Sequence, residues 1–263
     1  MTGPIYAGAS EGYDELFARA TRLFIPALLG AARAAPGQRL LDVATGTGAA
    51  AAVAADLVGP SGSVVGADIS PAMLEVARRN LKSQPIMFEL ADGQALPFPD
   101  ASFDAVVCQL GLMLFPNPAR GLSEFRRVLR HGGWAAVSVT TTPDRSLFAR
   151  IGFVIMRHAP ESAGTLNRFF SIPDAARLQF LMSAAGFREV DVQVETHAIS
   201  FDSFSAYFSG TERGAGLSGQ EYVRLPTDVQ RLVRDEVRAG LGLGRDDQPV
   251  TIEMDVLIGS GRH

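Results

Sequence analysis

The 263-residue sequence predicts an α/β fold in which a parallel sheet is covered by helices on both faces. Three observations carry that reading. Between residues 39 and 140, apolar runs alternate with helix-length segments, and strands apolar throughout are those buried on both faces. A Gly-Thr-Gly turn separates the first apolar run from an alanine-rich segment. Twice a small polar residue precedes proline, at Ser70-Pro71 and Asn117-Pro118, which places an N-cap before a proline at the first helical position.

Residues 10–34 read as one or two helices, amphipathic around Leu16, Phe17, Leu23, Phe24, Leu28 and Leu29. RLLDVA is a buried strand ending in the glycine turn. GSVVGADIS is a second strand with Asp68 near its carboxyl end, and the Ser70-Pro71 helix follows. PIMFELADG is a third, ending near Asp92, and FDAVVCQLG a fourth. ARGLSEFRRVLR is the next helix, closed by Gly132-Gly133, and WAAVSVTT is a fifth strand. Beyond residue 143, SLFARIGFVIMRHA and DAARLQFLMSAAG read as helices and REVDVQVETHAISF as a strand. FSAYF and QRLVRDEVRAGL are helical, and PVTIEMDVLIGSG is a final, alternating strand. With no internal repeat, one domain over 1–263 is the economical division. It comprises an N-terminal helical cap (1–36), a core (37–142) and a remainder (143–263) with lid insertions at 145–170 and 201–245.

Apolar residues make up 47% and charged residues 20%, as in ordinary globular proteins. A net charge of -4, with no run of five basic residues, argues against nucleic acid or an acidic membrane as partner. No apolar stretch reaches the roughly 18 residues of a membrane span, and MTGPIYAGASEGYDEL lacks the regions of a signal peptide. The expectation is a cytoplasmic protein with a small-molecule substrate, its oligomeric state left open between monomer and homodimer. Cys108, the single cysteine, reads as a small buried hydrophobe. No compact set of histidines and acids suggests a metal.

In open parallel sheets ligands bind beyond the carboxyl ends of the strands. The Gly46–Gly48 turn, Asp68, Asp92 and Gln109 fall there. DVATGTGAAA can be read as G-x-G-x-x-A, a dinucleotide signature through Gly46, Gly48 and Ala51. It can equally be read as D-x-x-x-G-x-G, led by Asp42. Asp68, 20 residues after Gly48, suits ribose hydroxyls under either reading. Asp42 separates them: a carboxylate opposes the pyrophosphate of NAD but suits the cationic groups of S-adenosylmethionine (SAM). Asp92, placed for an adenine amino group, gives acids at three successive strand ends and favours SAM.

DVATGTG, GADIS, ADGQALPFPDASFDAVVCQLGLMLFPNP and LSEFRRVLRHGGWAAVSV resemble, in order and spacing, the motifs of class I SAM-dependent methyltransferases. The small-molecule group that includes the ubiquinone and menaquinone biosynthesis enzymes is the nearest type. The resemblance covers roughly residues 37–140, and His131 departs from the proline usual before the glycine pair. It implies a Rossmann-like, mostly parallel seven-stranded sheet with the last strand antiparallel and helical lid insertions. It further implies that Ala44 and Gly46 meet the methionine part of SAM, Asp68 the ribose, and Ile69 and Met73 the adenine face. Asp92 would take the adenine amino group, Gly93 and Gln94 would pack on the ring, and Gln109 and Leu110 would line the methyl end. GYDELFARATR resembles an N-terminal helix that closes over the cofactor, with Tyr13 and Arg19 as candidates for its carboxylate.

Methyl transfer from a sulfonium needs mostly positioning, and no general base declares itself. His197, at the carboxyl end of its strand, is the catalytic candidate; His158, in a lid helix, is a weaker one. Phe148, Phe153, Met156, Phe169, Phe170, Phe201, Phe204, Tyr207 and Phe208 exceed what two short helices need, which predicts an apolar pocket for an aromatic, polyketide or quinone-like acceptor. Two other readings use the same fold: a cyclisation with SAM bound but not consumed, and a non-catalytic ligand-binding module.

Overall fold

The computed structural model describes residues 20–147 and 149–263. Tyr13, Arg19, Leu16, Phe17 and Phe148 lie outside them. Seven strands form one sheet in the order β3-β2-β1-β4-β5-β7-β6. They are β1 (Arg39–Val43), β2 (Ser63–Asp68), β3 (Ile86–Leu90), β4 (Phe103–Gln109), β5 (Leu129–Thr140), β6 (Arg188–Phe201) and β7 (Val250–Arg262). β1 to β5 pair in parallel, and β7 runs antiparallel to both its neighbours. The order reverses between β1 and β4, which opens a crevice at their carboxyl ends.

The interior parallel strands β2, β1 and β4 are mainly apolar because both faces are covered, while interior β7 alternates. α1 (Ile25–Ala31) and α2 (Ala49–Val58) pack together over one face. α3 (Pro71–Asn80) flanks β2 and β3, with Leu81 just beyond it close to Gly48 at the head of α2. On the opposite face α4 (Pro118–Val128) packs against α7 (Ala175–Ala184), whose Leu178 and Met182 lie over Gly259 of β7. Both predicted caps form: the Ser70 hydroxyl accepts from Met73 N (3.4 Å) and the Asn117 carbonyl from Arg120 N (3.1 Å). Between them these contacts fix where α3 and α4 begin.

The remaining helices are α5 (Ala149–His158), α6 (Ala163–Leu166), α8 (Phe204–Glu212), α9 (Gly216–Tyr222) and α10 (Thr227–Gly240). They come from the two insertions and pack on one another as a lid. β5 pairs with β7 only as far as Thr140↔Val256, whereas β6 and β7 continue to Phe201↔Val250. That hairpin projects past the end of β5 and carries the lid. Arg145 anchors its root, with Nε 2.8 Å from Asp255 Oδ2 and Nη1 2.6 Å from Glu253 Oε2. Among the described residues no helix is long and apolar enough to cross a membrane.

The structure revises two expectations. Gly132-Gly133 does not close a helix: α4 stops at Val128 and β5 begins at Leu129. The glycines sit in an irregularity of that strand, between the pairs Phe103↔Leu129 and Ala105↔Trp134, where Gly132 takes φ +83°. β3 is not buried along its length; as a sheet edge it leaves Met87 and Leu90 exposed. Five of the residues expected in the lid pocket are interior. Phe169, Phe201, Phe204, Tyr207 and Phe208 are buried, and the last four pack on one another with ring centroids 5.4–6.0 Å apart. The Tyr207 hydroxyl donates to Leu147 O at 2.8 Å. Five lid helices need a core of their own, and these rings supply it.

Candidate active site

β1 runs into the glycine turn through two left-handed residues, Ala44 (φ +57°) and Gly46 (φ +55°), and α2 starts after a third, Gly48 (φ +88°). β4 ends similarly, with Leu110 at φ +50°. Left-handed backbone at a non-glycine residue costs energy and is held only where its surroundings enforce it. Here Leu110 N is tied to Ser138 O (3.0 Å) and to the Ser138 hydroxyl (3.1 Å). The two turns face each other across a cleft lined by Thr21, Asp42, Ala44, Thr45, Gly46, Thr47, Ala49, Ala50, Gln109 and Leu110.

The glycines do different work. A Cβ on Gly46 would meet nothing within 4 Å, so this residue leaves open the space beside the cleft. A Cβ on Gly48 would lie 2.6 Å from Leu81 Cδ1, so Gly48 serves the packing of α2 on its neighbours. Ala50 and Ala51 are buried and bring α2 close to the strand.

Asp42 lies at the floor, fully buried. Its Oδ2 accepts from the Thr45 hydroxyl at 2.6 Å, while Oδ1 has no hydrogen-bond partner. Burial pushes its carboxyl up to about 7, with the nearby Asp68 charge adding to the rise and the Thr45 hydrogen bond opposing it. Asp68, at the end of β2, accepts from Gly46 N (2.8 Å) and Ser70 N (2.8 Å). Burial holds its carboxyl above the usual range in spite of those two donors. Cys108 beneath is fully buried, its thiol pushed up by burial and by Asp42, which makes it a packing residue.

This arrangement decides between the two cofactors. A pyrophosphate needs free backbone N–H groups at the helix start, but Gly46 N is already engaged by Asp68. Two buried carboxylates at the same end would repel it. An orphaned carboxylate oxygen in an otherwise satisfied cleft instead asks for a cationic or hydrogen-bond-donating group, and SAM carries an ammonium and a sulfonium. The donor set fits SAM.

The other expected residues spread outward along the strand ends. Ile69 is exposed (58%) at the mouth beside Asp68, and Met73 is buried in the first turn of α3. The Asp92 carboxylate is held by Gln94, through its backbone N (2.9 Å) and its side-chain amide (3.1 and 3.3 Å). Gln94 Oε1 accepts from Asn117 N at 2.8 Å, so its amide spans Asp92 and the α4 cap. Gly93 is required by Phe115, whose Cζ would lie 2.5 Å from an added Cβ. Gln109 donates from Nε2 to Thr21 O at 2.6 Å.

His197 shares a sheet face with Gln109 but stands three strands away, on the projecting hairpin. It packs edge-on against Phe24 (4.8 Å, 85°), with Nε2 3.1 Å from Glu195 Oε1 yet outside hydrogen-bond geometry. It is not part of the cleft lining. His158 is tied to Glu236 (2.5 Å) between two lid helices. His131 stacks on His263 (4.8 Å) near Arg262, at the amino end of β5 and far from the cleft. Thr21, Thr45 and Thr47 line the cleft without having been singled out in the sequence; Thr45, three residues after Asp42 in the D-x-x-x-G-x-G reading, was the legible one.

The LPF…FD…RVLR segment is a brace around Arg127. Its guanidinium donates to Leu96 O (2.9 Å), Phe98 O (2.8 Å), Asp100 (2.7 Å) and Glu124 (2.8 Å). Asp104 in turn pairs with Arg130 (2.7 Å) and accepts from Arg39 N (2.8 Å). The pattern thereby pins the loop between β3 and β4 to α4.

A methyltransferase domain model matches residues 41–137. The ubiquinone/menaquinone biosynthesis C-methyltransferase UbiE of Geobacter sulfurreducens is 35% identical over 179 residues, 62% of this chain and 70% of that protein. A crystal structure described as a methyltransferase of Bacillus halodurans superposes with a TM-score of 0.62 at 21% identity, covering 90% of this chain and 97% of that one. The [4+2]-cyclase SpnF shares the fold with a TM-score of 0.57 at 19% identity, over 93% and 81% of the two chains. With the sheet order, the cleft and these similarities together, the chain belongs to the SAM-dependent methyltransferase family, and SAM is its cofactor.

Proposed function

We propose that this methyltransferase acts on an apolar, aromatic or quinone-like small molecule by in-line displacement. The observation that supports this acceptor class is the 35% identity, over 70% of its length, to an enzyme named for quinone C-methylation. When bound, SAM supplies a methyl group already activated on a sulfonium. The chain's part is to hold and orient. Asp42 Oδ1 faces the cationic methionine end, with Ala44 and Gly46 backbone groups beside it. Asp68 takes the ribose hydroxyls. Ile69 and Met73 cover one adenine face, Asp92 receives the adenine amino group, and Gly93 and Gln94 shape the other side. Leu110 borders the methyl end with Gln109. Tyr13 and Arg19, outside the described residues, remain the candidates for the SAM carboxylate.

Holding a nucleophile near the methyl group lowers the barrier by proximity alone, and a quinol or phenol loses its proton readily enough to need no strong base. His197 is the candidate base if one is used. The deciding experiment incubates the protein with methyl-tritiated SAM and a quinol bearing a free ring position. Label in the organic product supports the reading, and label recovered only with hydrophilic acceptors or protein side chains removes the acceptor class. The likeness to a cyclase favours one second reading, a cyclisation in which SAM is not consumed; turnover of a polyene substrate without label transfer would establish it.

A further inference from the structure

We infer that Gln109 is a positioning residue that latches the Thr21 wall of the cofactor cleft to the end of β4. This rests on the cleft being the SAM site. Gln109 is the last residue of β4, held in register by Ser138 of β5. Its Nε2 donates to Thr21 O at 2.6 Å, a contact across 88 residues of sequence, and both residues line the cleft. Thr21 O also accepts from Phe24 N (3.1 Å), so the carbonyl is the pivot of the turn that leads into α1. At the other end of that turn, Phe24 is fully buried against the edge of His197. Two of the turn's contacts thus differ in kind: an apolar one on β6, away from the cleft, and a polar one on β4, at its rim.

The two anchors differ in consequence. Phe24 sits in the core and would keep α1 docked if Gln109 were lost. The hydrogen bond ties the Thr21 wall to the strand end and so bears directly on the width of the cleft. A glutamine does this because its amide reaches across the gap and presents an N–H to a carbonyl. A glutamate of the same shape would place two acceptors face to face, and a methionine would leave the carbonyl without that donor.

The test compares Gln109→Met and Gln109→Glu with the natural protein. Loss of this half-buried hydrogen bond is expected to raise the Kd for S-adenosylhomocysteine and the KM for SAM together by roughly 5–20-fold in the methionine variant. The effect should be larger in the glutamate variant at neutral pH. Hydrogen exchange should speed up at residues 21–24 and not across the sheet. Exchange that rises uniformly would mark a general structural role and overturn the latch. A fall in kcat with Kd unmoved would place Gln109 on the reacting atoms instead, and Kd within twofold in both variants would also overturn it. If the natural protein failed to bind S-adenosylhomocysteine, the cofactor assignment of the cleft would fall, while the local exchange at residues 21–24 would still report on the hydrogen bond.

Discussion

Replacing Asp42 with asparagine separates what this carboxylate costs the fold from what it gives the site. The side chain is fully buried with one oxygen unpartnered, and its carboxyl is raised from 3.8 to about 7. Between those values the folded chain keeps a proton that the unfolded chain has given up. Stability therefore falls as pH rises from about 4 to about 7 and stays low above. A rise of that size corresponds to about 4 kcal/mol of pH-dependent destabilisation. The raised carboxyl of Asp68 acts in the same direction and persists in the variant, so its curve keeps a shallower slope.

In the Asp42→Asn variant the new side-chain carbonyl would still accept from Thr45, but the amide N–H would lack a partner, at about 1–3 kcal/mol. The expected outcome of urea denaturation without cofactor is a variant close to the natural protein at pH 4.5 and more stable by about 1–3 kcal/mol at pH 8. Calorimetry at pH 8 should show the reverse for function, with SAM bound at least about tenfold more weakly because the buried counter-charge is gone. Two parallel stability curves, offset by a constant, would refute the assignment of the raised carboxyl to Asp42. Unchanged SAM affinity would refute its role opposite the cationic end.

Four further outcomes follow from the geometry. Asp68→Ala leaves Gly46 N and Ser70 N without their acceptor, and SAM affinity should drop by roughly 10–150-fold in calorimetry; equal affinity would remove the ribose assignment. His197→Gln should lower kcat by less than about tenfold with the pH profile unchanged, whereas a loss of about 10²–10⁴ would make it the general base. Gly46→Ala should cost about 1–2 kcal/mol of stability, for left-handed backbone, yet abolish cofactor binding; Gly48→Ala should cost about 1–2 kcal/mol for its own left-handed backbone, with the end of Leu81 moved aside, while leaving cleft chemistry intact. Arg127→Met should lower stability by about 2 kcal/mol in denaturant titration, since it strips donors from the carbonyls of Leu96 and Phe98 and from Glu124.

The sheet was legible because the interior parallel strands are mainly apolar runs and each capped helix announces its start. Ser70 and Asn117 cap where expected because a hydroxyl or amide before proline has little else to do. What stayed hidden depended on packing partners that spacing does not encode. That Phe169, Phe201, Phe204, Tyr207 and Phe208 are interior was hidden because the sequence shows how many aromatics the lid carries and not how many helices they must hold together. The glycine pair at 132 and 133 read as a helix end because a helix passing straight into a strand at Leu129 leaves no linker for the eye to find. His197 was placed at the correct end of its strand, but the distance across three strands is a property of sheet order.

The motifs that made the family recognisable are not those nearest the chemistry. The LPF…FD…RVLR pattern is distinctive because bracing a loop through one guanidinium demands several residues at fixed offsets, and it does its work around Arg127. The cleft itself is built from small residues, threonine, alanine and glycine, that recur in any sequence, and from one acid whose meaning lies in its burial. Gly46 and Gly48 show the difference within a single turn: the same residue type, two apart, keeps space open in one case and lets two elements touch in the other. The spacing G-x-G is satisfied by both jobs. Only the surroundings of each Cα say which one binds, which is why substitution at the two positions should cost similar stability yet differ in cofactor affinity.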